Sequence, residues 1–222
     1  MLKKEVLQRL DSHRLIALAR ADSAAQLREL GQTLLDAGLP QLELPLTSPA
    51  VPDIIAAVAA DLPQLTLGLG TVIDTDTARR GILAGARFIS TPALRPEVIL
   101  LCRRHHVPVI CGAHSTAEIE AALEAGADAV KLYPSRDRFG PTHVRETRQR
   151  FPDARLYPVG GVNASNVADF IHCGANAVFV ASGLGFSFED GAAATPPSAH
   201  ELADHVRALI AALPAADIAA TN

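Results

Sequence analysis

A lysine and a glutamate lie within otherwise apolar segments of the sequence. Lys131 stands between Val130 and Leu132, and Glu43 stands in "QLELPL". An amine that is partly removed from water favours its neutral form, which can attack a carbonyl carbon and form a Schiff base. A carboxylate beside it can carry protons as a general acid/base. Two structural alternatives are a solvated lysine on an edge strand and an ion pair in which Glu43 neutralises Lys131.

The segments that carry these residues follow a repeated plan. "LLDAGLPQLELPL", "ILAGARFISTP", "LEAGADAVKLYP" and "IHCGANAVFVASG" each join a helical end, a glycine and a short apolar strand. The glycines are Gly38, Gly85, Gly126 and Gly174, at spacings of 47, 41 and 48 residues, which suit two βα units each. A glycine after a helix adopts the left-handed turn without a steric penalty.

Eight apolar segments alternate with eight helical segments along the chain. We predict helices over 22–37, 51–61, 75–84, 95–105, 116–125, 141–150, 164–173 and 198–213, with N-caps near Asp22, Ser48, Asp74, Ser115 and Asn163. The near-continuous apolar strands are typical of parallel strands covered on both faces. The pattern predicts a (β/α)8 TIM barrel, a single domain over residues 1–222. An open doubly wound sheet is the alternative.

Within that domain, we expect a flexible loop at about 187–200, rich in Ala and Pro, and a frayed tail at about 214–222.

A barrel gathers the carboxyl ends of its strands at one mouth. Because a closed barrel has no edge strand, the solvated-edge reading of Lys131 loses force, and the ion-pair reading stays open. Gly160, Gly161 and Ser182 follow the last two strands, where barrels often hold a phosphate through backbone N–H groups. Arg20 ends the first strand, either as an anchor for a substrate carboxylate or as a surface arginine.

Composition restricts the class of protein. The net charge of −4 gives no reason to expect nucleic acid or an anionic membrane as a partner. Three cysteines at irregular spacing predict reduced thiols in a cytoplasmic protein. We find no signal peptide and no run of apolar residues that is long enough to span a membrane. The histidines form no recognisable metal set, although His114 lies near the predicted mouth as a weak site candidate.

The ordered motifs "ELPLTSP", "GLGTV", "ISTP", "EAGADAVKLYP" and "VGGV" carry a resemblance over about residues 10–185. The chain resembles the KDPG/KHG aldolase family, class I aldolases of 2-keto-3-deoxy-phosphosugar acids. The resemblance implies a Schiff-base role for Lys131 and a proton-shuttle role for Glu43. It further implies homotrimers without a metal or cofactor, a pyruvate pocket and phosphate contacts. The pocket would comprise Arg20, Thr71, Pro92 and Tyr133, and the phosphate contacts would be Gly160, Gly161 and Ser182.

Two departures from the gluconate branch of that family favour its 6-phosphogalactonate branch. Thr47 stands where the gluconate branch has an arginine, and Val159 stands where it has a threonine near the substrate. The resemblance then implies cleavage of 2-dehydro-3-deoxy-6-phosphogalactonate to pyruvate and D-glyceraldehyde 3-phosphate. Arg136 and Arg138 lie in a loop, "PSRDRFGP", that is longer than in relatives, and their role at the phosphate end stays open.

The alternatives are a gluconate-epimer or 4-hydroxy-2-oxoglutarate aldolase, a phosphate-binding barrel of the thiamine-phosphate-synthase kind, and a non-catalytic sugar-phosphate binding barrel. The thiamine-phosphate-synthase kind would require metal-binding carboxylates at the strand ends, and we find none there.

Overall fold

The computed structural model describes residues 1–134, 140–187 and 196–215. Its strands are β1 Leu15–Leu18, β2 Gln41–Pro45, β3 Thr66–Gly70, β4 Phe88–Thr91, β5 Val109–Ala113, β6 Ala129–Leu132, β7 Leu156–Pro158 and β8 Val178–Val180. Its helices are α1 Lys3–His13, α2 Ala24–Asp36, α3 Val51–Ala59, α4 Thr75–Leu83, α5 Pro96–Arg104, α6 Thr116–Glu124, α7 Pro141–Arg150, α8 Val167–His172 and α9 Ala199–Ala212.

The strands form one parallel sheet in sequential order, with β8 beside β1. A parallel bridge between Val159 and Phe179 joins the end of β7 to β8 and completes the ring. The predicted (β/α)8 barrel is therefore confirmed, and the open doubly wound sheet is wrong.

The turns before the strands follow the glycine pattern. Gly38, Gly85, Gly126 and Gly174 all adopt positive φ angles, between 90° and 101°. Each comes just after the last residue of a helix, where a side chain would be strained. The turns therefore form as the repeated sequence plan predicts.

The helix starts agree with the predicted caps in two places. The Asp74 side chain accepts a hydrogen bond from the Thr77 amide, and the Ser115 side chain accepts one from Glu118. The cap of α2 is Ser23, one residue beyond the predicted Asp22.

Two buried layers result from the alternation of side chains along the strands. One layer lies between the barrel and the helices, and it includes Leu42, Ile89, Val130 and Val178. The other fills the barrel interior, with the buried members Val6, Leu10, Ile16, Phe88, Ile110, Ala129, Tyr157, Val159, Ala177 and Phe179. Because Lys131 and Glu43 share the inward parity of the second layer, they face the barrel interior.

Helix α1 is an addition to the predicted pattern, which assigned no helix to the first 13 residues. Val6 and Leu10 on α1 join the interior layer, so this helix packs across the amino-terminal end of the barrel. Polar contacts hold it there: Asp11 accepts hydrogen bonds from the Tyr157 hydroxyl at 2.8 Å and from Arg155 at 2.9 Å. Lys3 lies 2.6 Å from Asp128.

Several predictions concern residues outside the described ranges. Arg136 and Arg138 lie there, as do most of the loop expected at 187–200 and most of the tail expected at 214–222. Within the ranges that are described, no helix has the length and apolar character needed to cross a membrane.

Candidate active site

Lys131 and Glu43 meet inside the barrel. The lysine Nζ lies 2.6 Å from Glu43 Oε1, a separation typical of a charge-assisted hydrogen bond. The side chain of Lys131 is 12% exposed and that of Glu43 only 1%. The second carboxylate oxygen, Oε2, is buried and has no hydrogen-bond partner among the described residues. The pair can therefore transfer a proton between its members, and the carboxylate can also take a proton from a substrate group through Oε2 when Oε1 carries none.

Gly70 gives the carboxylate its space, and Gly112 allows the close approach of the neighbouring strand end. A Cβ atom on Gly70 would lie 2.2 Å from Glu43 Oε1, so the carboxylate occupies the position of an absent side chain. A Cβ atom on Gly112, the register partner of Lys131 on β5, would lie 2.3 Å from the carbonyl oxygen of Pro92. Larger residues at either position would force the strand ends or the carboxylate to move.

A cleft of about 490 Å³ opens at the carboxyl ends of β6, β7 and β8. Five of the predicted site residues line it together: Tyr133, Val159, Gly160, Gly161 and Ser182. Leu18, Phe179 and Phe186 complete its apolar side. The Phe179 ring also lies 4.0 Å from Lys131 Nζ, so the lysine adjoins this cleft.

The other three predicted pocket residues lie further away from the cleft. Arg20 is exposed and lines a neighbouring cleft between α2 and α9, which shares Phe186 with the first. Thr71 follows β3 with a φ of 59°, and its side chain is exposed. Pro92 is exposed after β4, with its carbonyl group against Gly112. The structure thus brings the predicted phosphate contacts together but spreads the predicted pyruvate contacts along the mouth.

A sequence profile described as KDPG and KHG aldolase matches residues 6–190. The chain belongs to the KDPG and KHG aldolase family. It is therefore a lyase of the aldolase type.

Individual members of the aldolase family agree with this assignment. The chain is 30% identical to the 2-dehydro-3-deoxy-6-phosphogalactonate aldolase of Escherichia coli, covering 87% of this chain and 93% of that protein. It is 31% identical to the 2-dehydro-3-deoxy-phosphogluconate aldolase of Pseudomonas aeruginosa, covering 71% and 72%. A solved structure described as native KDPGal superposes with a TM-score of 0.78 at 28% identity, covering 89% of this chain and 93% of that one.

The two buried cysteines of this aldolase, Cys102 and Cys111, are poorly suited to act as nucleophiles. Burial raises the pKa of the Cys102 thiol to about 12 and also raises the pKa of Cys111. Both thiols therefore stay protonated near neutral pH, and a thiol is a far weaker nucleophile than a thiolate.

His114 and His143 pack with ring centroids 5.2 Å apart. Within the described residues, no cluster of three or more His, Cys, Asp or Glu side chains could hold a metal ion.

Phe179 and Gly70 are site residues that the sequence prediction missed. Phe179 stands in "AVFVASG" two residues before Ala181, at an inward position of β8. Strict alternation along that strand could have placed its ring in the interior layer. Its contact with Lys131 depends on the register between distant strands, which no local pattern shows.

Proposed function

We propose that this aldolase works through a Schiff base on Lys131 and cleaves 2-dehydro-3-deoxy-6-phosphogalactonate to pyruvate and D-glyceraldehyde 3-phosphate. The observation that carries the proposal is the 2.6 Å contact between Lys131 Nζ and the buried carboxylate of Glu43 inside the barrel. A structural ion pair alone explains neither the adjoining cleft nor the unpartnered Oε2 of Glu43.

The first half of the reaction builds an electron sink. Lys131 gives a proton to Glu43, and its nitrogen lone pair attacks C2 of the substrate to form a C–N bond. The former carbonyl oxygen takes one proton from the attacking nitrogen and one back from Glu43 and leaves as water, so a protonated iminium and a Glu43 carboxylate remain. The C4 hydroxyl then gives its proton to Glu43 as the C3–C4 bond breaks. The electron pair of that bond forms a C2=C3 double bond, and the iminium π electrons move onto nitrogen.

The second half returns the enzyme to its starting state. Glyceraldehyde 3-phosphate departs with C4 as its aldehyde carbon, and a neutral enamine stays on Lys131. Glu43 returns a proton to C3, which restores the iminium, and water hydrolyses the iminium to release pyruvate. One buried carboxylate can carry out both transfers because Oε1 lies beside the nitrogen, so a substrate bound to that nitrogen has its C3 and C4 within reach of the same group.

We assign the phosphate contacts by position. Gly160, Gly161 and Ser182 hold the phosphate, because they line one cleft and offer backbone N–H groups after β7 and β8. The family resemblance, and not their position in the cleft, assigns Arg20 and Thr71 to the substrate carboxylate and Pro92 and Tyr133 to the pyruvate half.

Val159 supports the galactonate epimer. Its side chain lines the cleft and neither donates nor accepts a hydrogen bond, whereas a threonine there would favour one orientation of the C4 hydroxyl. The loss of such a bond is worth about 1 kcal/mol, so we expect a modest preference between epimers. The galactonate relative covers 87% of this chain against 71–76% for three gluconate relatives, although one of those is slightly more identical, at 31% against 30%. The gluconate epimer and 4-hydroxy-2-oxoglutarate remain the alternative substrates.

Borohydride trapping with pyruvate tests the Schiff base. Reduction should add the pyruvate mass to the peptide that carries Lys131, and the Lys131→Met variant should gain nothing. The Glu43→Gln variant should still be trapped but should cleave substrate about 10²-fold more slowly, because it cannot carry the proton. No adduct on folded wild-type protein, or an adduct on another lysine, would contradict the proposal.

Cleavage rates on the two C4 epimers test the branch. We expect kcat/KM to be higher for the galactonate epimer and the preference to shrink in the Val159→Thr variant. A strong preference of the wild-type enzyme for the gluconate epimer would overturn the substrate assignment while leaving the Schiff base intact. We further propose that the enzyme acts in the cytoplasm as a homotrimer. Sedimentation of the purified protein tests the oligomeric state.

A further inference from the structure

Within the described parts of the chain, two groups contact the Lys131 nitrogen. One is the carboxylate of Glu43 at 2.6 Å, and the other is the aromatic face of Phe179, whose ring centroid lies 4.0 Å from Nζ. The negative face of an aromatic ring attracts a cation at this distance, and the attraction strengthens when both groups are out of water. Phe179 is completely buried, and the lysine side chain is nearly so.

We propose that Phe179 is a further catalytic residue, whose ring face stabilises positive charge on the Lys131 nitrogen, first as the ammonium and then as the iminium. The inference rests on the proposed Schiff-base function, because only that chemistry converts Nζ into an iminium whose charge appears and disappears during the reaction. It assigns to β8 a role beyond the phosphate loop that follows this strand.

The position of the ring is fixed from several sides. The backbone of Phe179 pairs with Ile16 on β1 and forms the bridge to Val159 that closes the barrel. Tyr157 meets the ring edge-on, with centroids 6.3 Å apart and planes at 64°. The Tyr157 hydroxyl in turn donates a hydrogen bond to Asp11 on α1. A ring held in this way presents a preorganised face to the nitrogen and does not have to turn when charge develops.

The ring affects one step in a defined direction. When the iminium of pyruvate loses a C3 proton to Glu43, the C–H electron pair forms the C2=C3 bond. The C=N π electrons pass to nitrogen, and the charge at Nζ disappears. A ring that stabilises the cation therefore favours the iminium over the neutral enamine. Weakening the attraction between the ring face and the cation should make the iminium a stronger carbon acid. Proton loss from each iminium formed should then be faster.

Fluorinated phenylalanines at position 179 test this prediction with little change of shape. Fluorine withdraws electron density from the ring face, so 4-fluoro- and 3,4,5-trifluorophenylalanine weaken the attraction stepwise. Two quantities are measured with pyruvate: the fraction of enzyme trapped by borohydride on Lys131, and the rate of methyl hydrogen–deuterium exchange by NMR. Exchange per trapped iminium should rise with each fluorine, by about twofold to tenfold in the trifluoro variant.

The matched control is the same substitution at Phe88, which is buried in the same interior layer but packs over Gly68. It should leave exchange per trapped iminium unchanged. The Phe179→Leu variant removes the ring altogether. If it folds, its exchange per trapped iminium should be higher than that of the trifluoro variant.

The outcomes separate the two proposals. If wild-type enzyme gives no adduct on Lys131, the proposed function fails. If the adduct forms but exchange per iminium is unchanged or falls across the fluorine series, the role of Phe179 is wrong and the Schiff base stands. A purely structural role would lower trapping and exchange together, because damaged geometry impairs both.

Discussion

Gly70 leaves the space that the Glu43 carboxylate occupies beside Lys131. A methyl group at this position would lie 2.2 Å from Oε1 and 2.5 Å from the carboxyl carbon, far inside van der Waals contact. The backbone of Gly70 does not adopt a positive φ, so an alanine fits the chain but not the site. The glycine is therefore required by the position of a neighbouring side chain.

We predict that the Gly70→Ala variant still forms the imine on Lys131 but cleaves the substrate more slowly. The displaced carboxylate can no longer reach both the nitrogen and the reacting carbons, and a shift of this size costs about 10²-fold in rate. Steady-state cleavage of the phosphosugar substrate and borohydride trapping on the same preparation measure the two steps.

Gly31 on α2 offers the matched control for this change. A Cβ atom there would also be crowded, but only by the methyl ends of Leu62 and Leu65, which can move. Gly31→Ala should therefore keep wild-type cleavage. Unaltered cleavage by Gly70→Ala would mean that the position of Glu43 does not limit the reaction.

The sequence predicts the pairing of Lys131 with Glu43 better than it predicts the surroundings of the pair. Lys131 and Glu43 are predictable because charged residues in apolar strands are rare and parallel strands converge at one mouth. The contact of Phe179 and the clearance over Gly70 depend on the register between strands far apart in the chain, which local patterns do not contain. Arg20 lies in the neighbouring cleft for the same reason, since a strand end does not fix the direction of a long side chain.

Arg148 joins the ends of two helices. Its guanidinium donates hydrogen bonds to the carbonyl groups of Gly174, Pro152 and Ala154 at 2.7–3.1 Å and to the side chain of Asn176 at 2.8 Å. These carbonyl groups lie after α7 and α8, where no intrahelical donor remains. One arginine on α7 thus holds the loops that lead into β7 and β8.

We expect Arg148→Ala to lower the free energy of unfolding by about 3 kcal/mol, because several carbonyl groups lose a charged donor. Urea denaturation measures the change. Arg150, exposed on the last turn of the same helix, gives the control, and Arg150→Ala should change stability by less than about 0.5 kcal/mol. Equal effects of the two substitutions would show that the loop contacts contribute little.

The first turn of α4 provides a pH-dependent contribution to stability. The Thr77 backbone amide donates to the Asp74 carboxylate and lowers the pKa of Asp74 below its usual value. The charged form is therefore favoured in the folded state. The resulting stabilisation is complete above the unfolded pKa, near 4, and is lost as the pH falls through the folded pKa.

We predict that Asp74→Asn preserves most of the stability at pH 7, since asparagine is an equally good N-cap, but removes this acid dependence. Asp74→Ala should cost about 1 kcal/mol at pH 7 and progressively less as the pH falls below about 4. Thermal unfolding between pH 3 and 7 measures both. A constant difference between wild type and Asp74→Asn over this range would contradict the assignment.

For the helices and strands, the repeated glycine pattern is the strongest signal in the sequence. Gly38, Gly85, Gly126 and Gly174 mark turns before β2, β4, β6 and β8, and every predicted strand is present. Helix α1 was missed because it breaks the βα alternation and because its N-cap residue, Leu2, is not one of the residue types that signal a helix start. Its apolar face is short, and only the open end of the barrel explains why Val6 and Leu10 are buried.

The whole molecule is closed at its amino-terminal end by α1. Leu10 is completely buried in the interior layer, which also contains Tyr157 and Phe179. Lys131 therefore stands above one continuous packed layer that begins at the first helix. Loosening that layer at its base should affect the stability of the entire barrel, because interior packing is close and cooperative.

We predict that Leu10→Ala destabilises the protein by about 2–5 kcal/mol through the cavity it leaves. Leu2, 71% exposed just before the same helix, supplies the control, and Leu2→Ala should be nearly neutral. Urea denaturation followed by far-UV circular dichroism compares the two. A small loss for Leu10→Ala would indicate that α1 detaches without disturbing the barrel.

The bridge that closes the ring is made by the backbones of Val159 and Phe179, while their side chains face the cleft. Main-chain pairing does not depend on which side chain a residue carries. The side chain at position 159 can therefore be exchanged to examine its proposed part in substrate choice while the backbone bridge stays in place. Inserting or deleting a residue beside it would shift the strand pairing that closes the barrel.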